Sequence, residues 1–355
     1  MSEAPSTPAP VLIGIIYDFP QADDGASFET ALRLGIDEVA AHGRLDRPVE
    51  LLSRHARGLP GGTAHHVEVT FTELIESGAL VAVGPSISDN GLIVGPMADA
   101  AGIPCINYTG GERTRGPFMF HYPVGSLAEE PAVLVNHLVA QESTRTAVIY
   151  DNTPVGRGYA DYFGEAAAAA GLEVIGEAAI APLATDVVPT VRRLRTGEPD
   201  SLVYLGLGVA ARALAVAVKS EGWQIRVVAN SSLMFGYTRR DWREDWEGWV
   251  YVDTVSDENQ ERARLRGKSR SSAAGPVGVA AYDIGRLIGE GLARSNHLTR
   301  DGLRQGLERV KQLPASSGLQ GTTMGFGHWD HGALKGRYLV LRRWEGGKTV
   351  QVADQ

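Results

Sequence analysis

Short apolar runs alternate with helix-length segments from residue 11 almost to the end of the chain, and this rhythm limits the available folds more than any other feature. "VLIGIIY" (11–17) reads as a buried strand, and in the segment after it Phe28, Leu32, Gly35, Ile36 and Val39 share one helical face. "VELLS" (49–53) reads as the second strand, followed by a helix that ends at Gly78. "LVAVG" (80–84) and "IPCIN" (103–107), with the helix between them, continue the βαβ pattern. Strands that are apolar along their whole length have no water-facing side, so they belong in a parallel sheet with helices on both faces.

A second series begins near residue 126. Helix 127–141 leads to "TAVIY" (146–150), helix 157–170, "LEVIGEAAI" (172–180), a helix from about 187, "SLVYL" (201–205), helix 209–221 and "IRVVA" (225–229). This series echoes the first in rhythm but not in residues. After "DWREDWEGWVYVDT" (241–254) come helices over roughly 274–294 and 299–310, and "YLVLRRW" (338–344) alternates as an edge strand does. Trp242 and Trp246 are four apart, one face of a helix, which suits packing alongside Trp249 and Tyr251; an aromatic wall against a ligand is the other reading. At 355 residues the chain is long for one core. Two lobes are expected, meeting near Val124-Gly125 with no Pro/Gly/Ser-rich linker.

Composition then removes several classes of function. Hydrophobic residues at 43% and charged residues at 21% describe a soluble globular protein. Lys and Arg number 34 against 42 acids, a formal charge of −8, and no long basic cluster stands out, which argues against nucleic acid as the main partner. No apolar run approaches the roughly 18–20 residues that would span a bilayer. The opening "MSEAPSTPAP" has neither the basic nor the apolar region of a signal peptide, and residues 1–9 read as a flexible lead-in. The location is cytoplasmic if this start is natural and extracytoplasmic if an export signal has been removed. The single Cys105 forms no internal disulfide and no multi-cysteine metal site.

The stretch "VAVGPSISDNGLIVG" (81–95) carries the main chemical question. A phosphate cradle needs a lysine after its last glycine, and Gly84 is followed by none in that position. A nucleophile elbow needs G-x-S-x-G, and "GPSIS" lacks the second glycine and any His–acid partnership. No catalysis is expected. A turn bearing Ser86 and Ser88 at the carboxyl end of a strand does suit a small polar group, because a hydroxyl and the first free N–H groups of the next helix can face a carboxylate or amide oxygen. The other reading is that Ser88, with Asp89 and Asn90, caps that helix. In "YLGLGVAA" (204–211), Gly206, Gly208 and Ala211 imitate a dinucleotide fingerprint, but the next strand ends in Asn230 rather than an acid, so tight packing explains it and no cofactor is expected. "GHWDH" (327–331) offers His328, Asp330 and His331, better read as a polar turn than as a metal site.

With these segments in view, the chain resembles the type I periplasmic binding proteins, closest in pattern to solute-binding proteins for branched-chain amino acids and amides. The resemblance runs from about residue 10 to the end. It rests on "ALRLGIDEVAAHG" (31–43), "VAVGPSISDNGLIVGPMADAAGIPCIN" (81–107), "TAVIYDNTPVGRGYADYF" (146–163) and "GHWDHGALKGRYLVLRRW" (327–344). It implies an α/β fold of two doubly wound parallel-sheet lobes, joined by three crossing segments, with one ligand in a cleft and hinge closure around it. The implied lobes are 10–124 plus 254–329 and 125–253 plus 330–355. Ligand contacts carry over to Ser86, Ser88 and the turn Tyr108, Thr109, Gly110 and Gly111 in the first lobe. In the second lobe they carry over to Val155, Gly208, Val209, Ser231 and Ser232.

Amino-acid-binding members place an acid, often with a tyrosine, in the second lobe to hold the ligand's ammonium. Leu127, Val155 and Ser231-Ser232 stand here instead, and Glu112, Asp151 and Asp253 are the nearest acids in the chain. An unpaired ammonium removed from water costs several kcal/mol. The expected ligand is therefore an amide, an apolar carboxylate or a larger hydrophobic acid. The resemblance implies a transport receptor delivering to an ABC permease; a cytosolic sensor acting with a regulatory protein is the alternative.

Overall fold

The computed structural model describes residues 9–19 and 25–353, with Gly25 and Ala26 as backbone only, so the expected lead-in lies outside the described residues apart from residue 9. The elements run β1 (Val11–Tyr17), α1 (Gly25–Ala41), β2 (Val49–His55), α2 (Ala64–Glu76), β3 (Val81–Val83), α3 (Ser88–Ala101), β4 (Cys105–Asn107) and β5 (Met119–His121). The second series is α4 (Glu130–Ala140), β6 (Arg145–Asp151), α5 (Pro154–Ala170), β7 (Glu173–Ile180), α6 (Val188–Arg195), β8 (Ser201–Leu205), α7 (Val209–Ser220), β9 (Arg226–Ala229), α8 (Arg240–Arg243) and β10 (Val250–Asp253). Then come α9 (Gln260–Lys268), α10 (Pro276–Ala293), α11 (Arg300–Glu308), the two-residue strands β11 (Leu313–Pro314), β12 (Thr323–Met324) and β13 (Leu334–Lys335), and finally β14 (Val340–Glu345) and β15 (Lys348–Gln351).

The chain divides into two compact units. The first holds the described residues up to Pro123 with Asn259–Ser317 and Gly321–Gly336; the second holds Val124–Glu258, Gly318–Gln320 and the described residues from Arg337. In the first unit the strands order as β2-β1-β3-β4-β5, every neighbouring pair parallel. Ile13, Ile15 and Ile16 of β1 are wholly buried, as a strand covered on both faces requires. Helices α1 and α10 meet backbone to backbone: a Cβ on Gly35 would stand 2.1 Å from Tyr282 O, and one on Gly285 would stand 2.1 Å from Leu32 O. Either glycine changed to alanine would force these helices apart.

The second unit repeats the order as β7-β6-β8-β9-β10, again parallel, and extends it by antiparallel β14 and β15. The segment "YLVLRRW" is therefore not an edge. β14 lies between β10 and β15, and β15 forms the edge. The alternation misled because Arg342 is an inward residue, 2% exposed, whose guanidinium donates to Thr349 Oγ1, Val255 O and Asp257. Trp242, Trp246, Trp249 and Tyr251 pack with Trp344 in the core of this unit. They are packing residues, not a ligand wall. Helix α8 ends at Arg243, so the spacing of four between Trp242 and Trp246 is not a helical face here.

Candidate functional site

In a doubly wound sheet the natural ligand seat is where the strand order reverses, at the carboxyl ends of the flanking strands. In the first unit this point lies between β1 and β3. Asp18, the residue after β1, is fully buried there. Its Oδ1 accepts from Ser86 N at 2.8 Å and Ser86 Oγ at 2.7 Å, and its Oδ2 accepts from Ile87 N at 3.0 Å and Asn90 Nδ2 at 2.8 Å. Burial pushes the Asp18 carboxyl upward, and these four donors oppose that rise. A carboxylate from far back in the chain thus fixes the start of α3. The alternative reading, that Ser88 caps α3, fails, because the N-cap position is Ile87 and no side chain caps from within the turn.

The consequence is a hydroxyl without an internal task. Ser88 is only 7% exposed, yet its Oγ has no hydrogen-bond partner among the described residues. Gly111 lies against it, since a Cβ there would fall 2.8 Å from Ser88 Oγ. The other candidates of this unit are occupied or apolar. Ser86 Oγ donates its hydrogen bond to Asp18 Oδ1, and Thr109 Oγ1 donates to Asn107 Oδ1 at 2.9 Å. Gly111 N donates to Thr109 Oγ1 at 3.3 Å, and Gly110 is half-buried. Tyr108 stacks on Phe28, 4.9 Å between ring centroids; Phe28 meets Tyr17 edge-on at 5.9 Å, and Tyr17 stacks on His55 at 5.0 Å. A row of rings therefore runs along the strand ends beside the serine turn.

The matching point of the second unit lies between β6 and β8. Asp151, the last residue of β6, accepts from Tyr204 Oη at 2.8 Å and Leu207 N at 2.7 Å, and burial pushes its carboxyl up to about 7. Gly206 packs directly on that carboxyl group, where a Cβ would stand 2.3 Å from Asp151 Cγ, and Gly208 precedes α7 at φ +92°. The glycine pattern of "YLGLGVAA" is explained by this contact. Val155 and Val209 lie in the first turns of α5 and α7.

Ser231 and Ser232 follow β9 and are both engaged. Ser231 N donates to Glu130 Oε2 at 2.6 Å and Ser231 Oγ to Glu130 Oε1 at 3.0 Å. Glu130 also accepts from Ser126 N at 2.6 Å and Tyr159 Oη at 2.9 Å. Burial pushes its carboxyl up to about 7. Ser232 Oγ donates to Asn230 Oδ1 at 2.7 Å. Asp18 and Glu130 were both missed in the sequence. "EEP" reads as an ordinary charged first turn, and nothing local to Asp18 announces contacts with residues 86–90.

The "GHWDH" turn is held internally. Glu308 faces His328 Nδ1 at 3.0 Å and His331 Nε2 at 3.3 Å, while His331 Nδ1 meets Gly116 O at 2.7 Å. Among the described residues no group of three or more His, Cys, Asp or Glu is arranged to hold a metal ion, and no helix is long and apolar enough to cross a membrane.

Solved structures share this fold along almost the whole chain. A leucine binding protein from Thermotoga maritima superposes with a TM-score of 0.80 at 14% identity, covering 97% of this chain and 98% of its own. An ABC transporter substrate-binding protein from Desulfitobacterium hafniense, in complex with Leu, gives 0.79 at 17% identity over 97% and 100%. A solute binding protein of an ABC transporter from R. palustris, in complex with 4-hydroxybenzoate, gives 0.80 at 16% identity over 98% and 96%. No curated protein sequence matches. The family profile described as periplasmic binding protein matches residues 10–347. Its members and the structural neighbours bind solutes without catalysing a reaction. Profile and fold agree, and the chain belongs to the periplasmic binding protein family.

Proposed function

We propose that this protein is the solute receptor of an ABC-type importer and that its ligand is a small acid or amide with an apolar body and no free α-ammonium. The observation that carries this reading is Ser88, whose hydroxyl stands at the first residue of α3 with no hydrogen-bond partner among the described residues. A ligand carboxylate or amide oxygen supplies the missing acceptor, beside the Gly111 backbone. The ring row Tyr17, Phe28 and Tyr108 offers an apolar flank for the rest of the molecule. The buried acids of the second unit support the exclusion of an ammonium. Glu130 and Asp151 take donors from their own unit, and Asp253 accepts from Tyr237 Oη, Thr254 N and Val255 N. The 4-hydroxybenzoate complex of the R. palustris neighbour is the kind of ligand this arrangement accommodates.

A thermal-shift panel tests the proposal by pairing leucine, isoleucine and valine with their deaminated acids and amides, and adding 4-hydroxybenzoate. Ligand binding raises the midpoint by mass action. The acids or amides are expected to stabilise the protein and the amino acids are not. Stabilisation by leucine alone would reverse the assignment.

A further inference from the structure

The hydrogen atoms in the second unit have directions that the heavy-atom geometry fixes. Asn230 Nδ2 donates to Gly206 O at 3.0 Å, and Gly206 N donates to Asn230 Oδ1 at 3.2 Å. A backbone N–H can only donate and a carbonyl can only accept, so the amide of Asn230 has one orientation. Its Oδ1 then faces Ser232 Oγ at 2.7 Å, and the Ser232 hydroxyl must be the donor. Ser231 is held in the same way. Glu130 already accepts from two backbone N–H groups, and above about pH 7, where it is ionised, it can only accept, so Ser231 Oγ donates to it as well.

From these directions we infer that Ser231 and Ser232 present only lone pairs to a ligand and that this loop reads a neutral hydrogen-bond donor, a hydroxyl or an amide N–H. Glu130 and Asn230 act as positioning residues that set this polarity without touching the ligand. The inference rests on the receptor reading and deepens it. A ligand held by this loop carries a hydrogen-bond donor, so a hydroxylated or amide-bearing acid suits the protein better than a plain aliphatic or aromatic one. A hydroxyl that has donated to a carboxylate or amide is a stronger acceptor for the next donor in the chain, which adds to the preference.

The test is calorimetry at pH 8, where Glu130 is ionised, with three matched probes: benzoate, 4-hydroxybenzoate and 4-methoxybenzoate, repeated with 4-methylpentanoate, its 2-hydroxy derivative and the methyl ether of that derivative. The hydroxylated member of at least one series is expected to bind about tenfold more tightly than both its parent and its methyl ether, the scale of one well-made hydrogen bond. The ether keeps the oxygen and loses the proton, so it separates a donor from mere bulk. In a Ser231→Ala/Ser232→Ala variant, checked for folding by circular dichroism, that preference is expected to fall below about twofold. Equal binding of alcohol and ether, or a preference that survives in the double variant, would overturn the inference and leave the receptor reading intact. If no acid or amide bound at all, the receptor reading and this inference would fall together.

Discussion

In both units a carboxylate at the end of the first sheet strand accepts backbone N–H groups from the loop after the third, but the hydroxyls around the two loops are used differently. Asp18 collects two backbone and two side-chain donors from residues 86–90 and leaves Ser88 free. Asp151 takes only one backbone donor and Tyr204, and the loop it holds, Gly206-Leu207-Gly208, carries no hydroxyl. The serines of the second unit sit one strand further along and turn their protons inward to Glu130 and Asn230. Equivalent topology therefore gives one unit a hydroxyl that can donate and the other a pair that can only accept. The fold places the loops, and a few buried side chains decide which hydrogen-bonding role faces outward.

The largest expected effect separates the two carboxylates. Asp18→Ala strands four buried or part-buried donors, and each lost partner costs roughly 1 kcal/mol or more, so a loss on the order of 4 kcal/mol is expected. Asp151→Ala strands two and should cost about 2 kcal/mol. Urea unfolding of the two variants measures both. Equal losses would break the comparison, because donor count would then not be what holds the two loops.

The next effect depends on pH and belongs to the second unit. Glu130 and Asp151 have folded-state carboxyls pushed up to about 7 by burial. In the folded state they keep protons that the unfolded chain releases at its ordinary, lower carboxylate range. Their contribution to stability is therefore complete below that range and is lost as pH rises to about 7. At about 1.4 kcal/mol per pKa unit, Glu130 adds on the order of 3 kcal/mol to this loss and Asp151 on the order of 4 kcal/mol. Glu130→Gln is expected to remove its share, so that stability falls less between pH 5 and pH 8 than in the native protein. The slope between those pH values is the readout, and the variant's absolute stability does not enter it. An unchanged slope would show that the four donors keep Glu130 ionised throughout.

Most of the architecture was open to reading in the sequence, because apolar strands and amphipathic helices announce themselves over whole segments. "VLIGIIY" is β1 residue for residue, and "SLVYL" is β8. What escaped depends on pairs of residues far apart in the chain. Arg342 stands in a segment that reads as an edge strand, and only the fold brings Thr349, Val255 and Asp257 to its guanidinium. The capping alternative for Ser88 rested on serine before an apolar helix usually being a cap. The real anchor, Asp18, contacts that turn only after β1 and β3 have paired in register, Ile13 with Val81. Glu130 was invisible for the same reason, since Ser126 is local to it but Ser231 lies beyond four intervening strands.

The smallest expected effects are the sharpest test of the contrast between the two sets of serines. Among the described residues Ser88 Oγ has no hydrogen bond to lose, so Ser88→Ala should leave unfolding within about 0.5 kcal/mol of the native protein. Binding of an acid or amide should weaken by about 1–2 kcal/mol, the usual scale for one hydrogen bond to a charged or strongly polar group. Ser231→Ala should behave in the opposite sense. It deletes the Oγ contact to Glu130 while the Ser231 N contact remains, so about 1 kcal/mol of stability is lost. A parent acid with no donor should bind this variant as it binds the native protein, because a lone pair offers such a ligand nothing. Urea midpoints and calorimetry on the two variants complete a cross in which each serine moves one observable. If Ser88→Ala lowered stability as much as Ser231→Ala, its hydroxyl would hold an internal partner after all, and the distinction between a donating and an accepting loop would be lost.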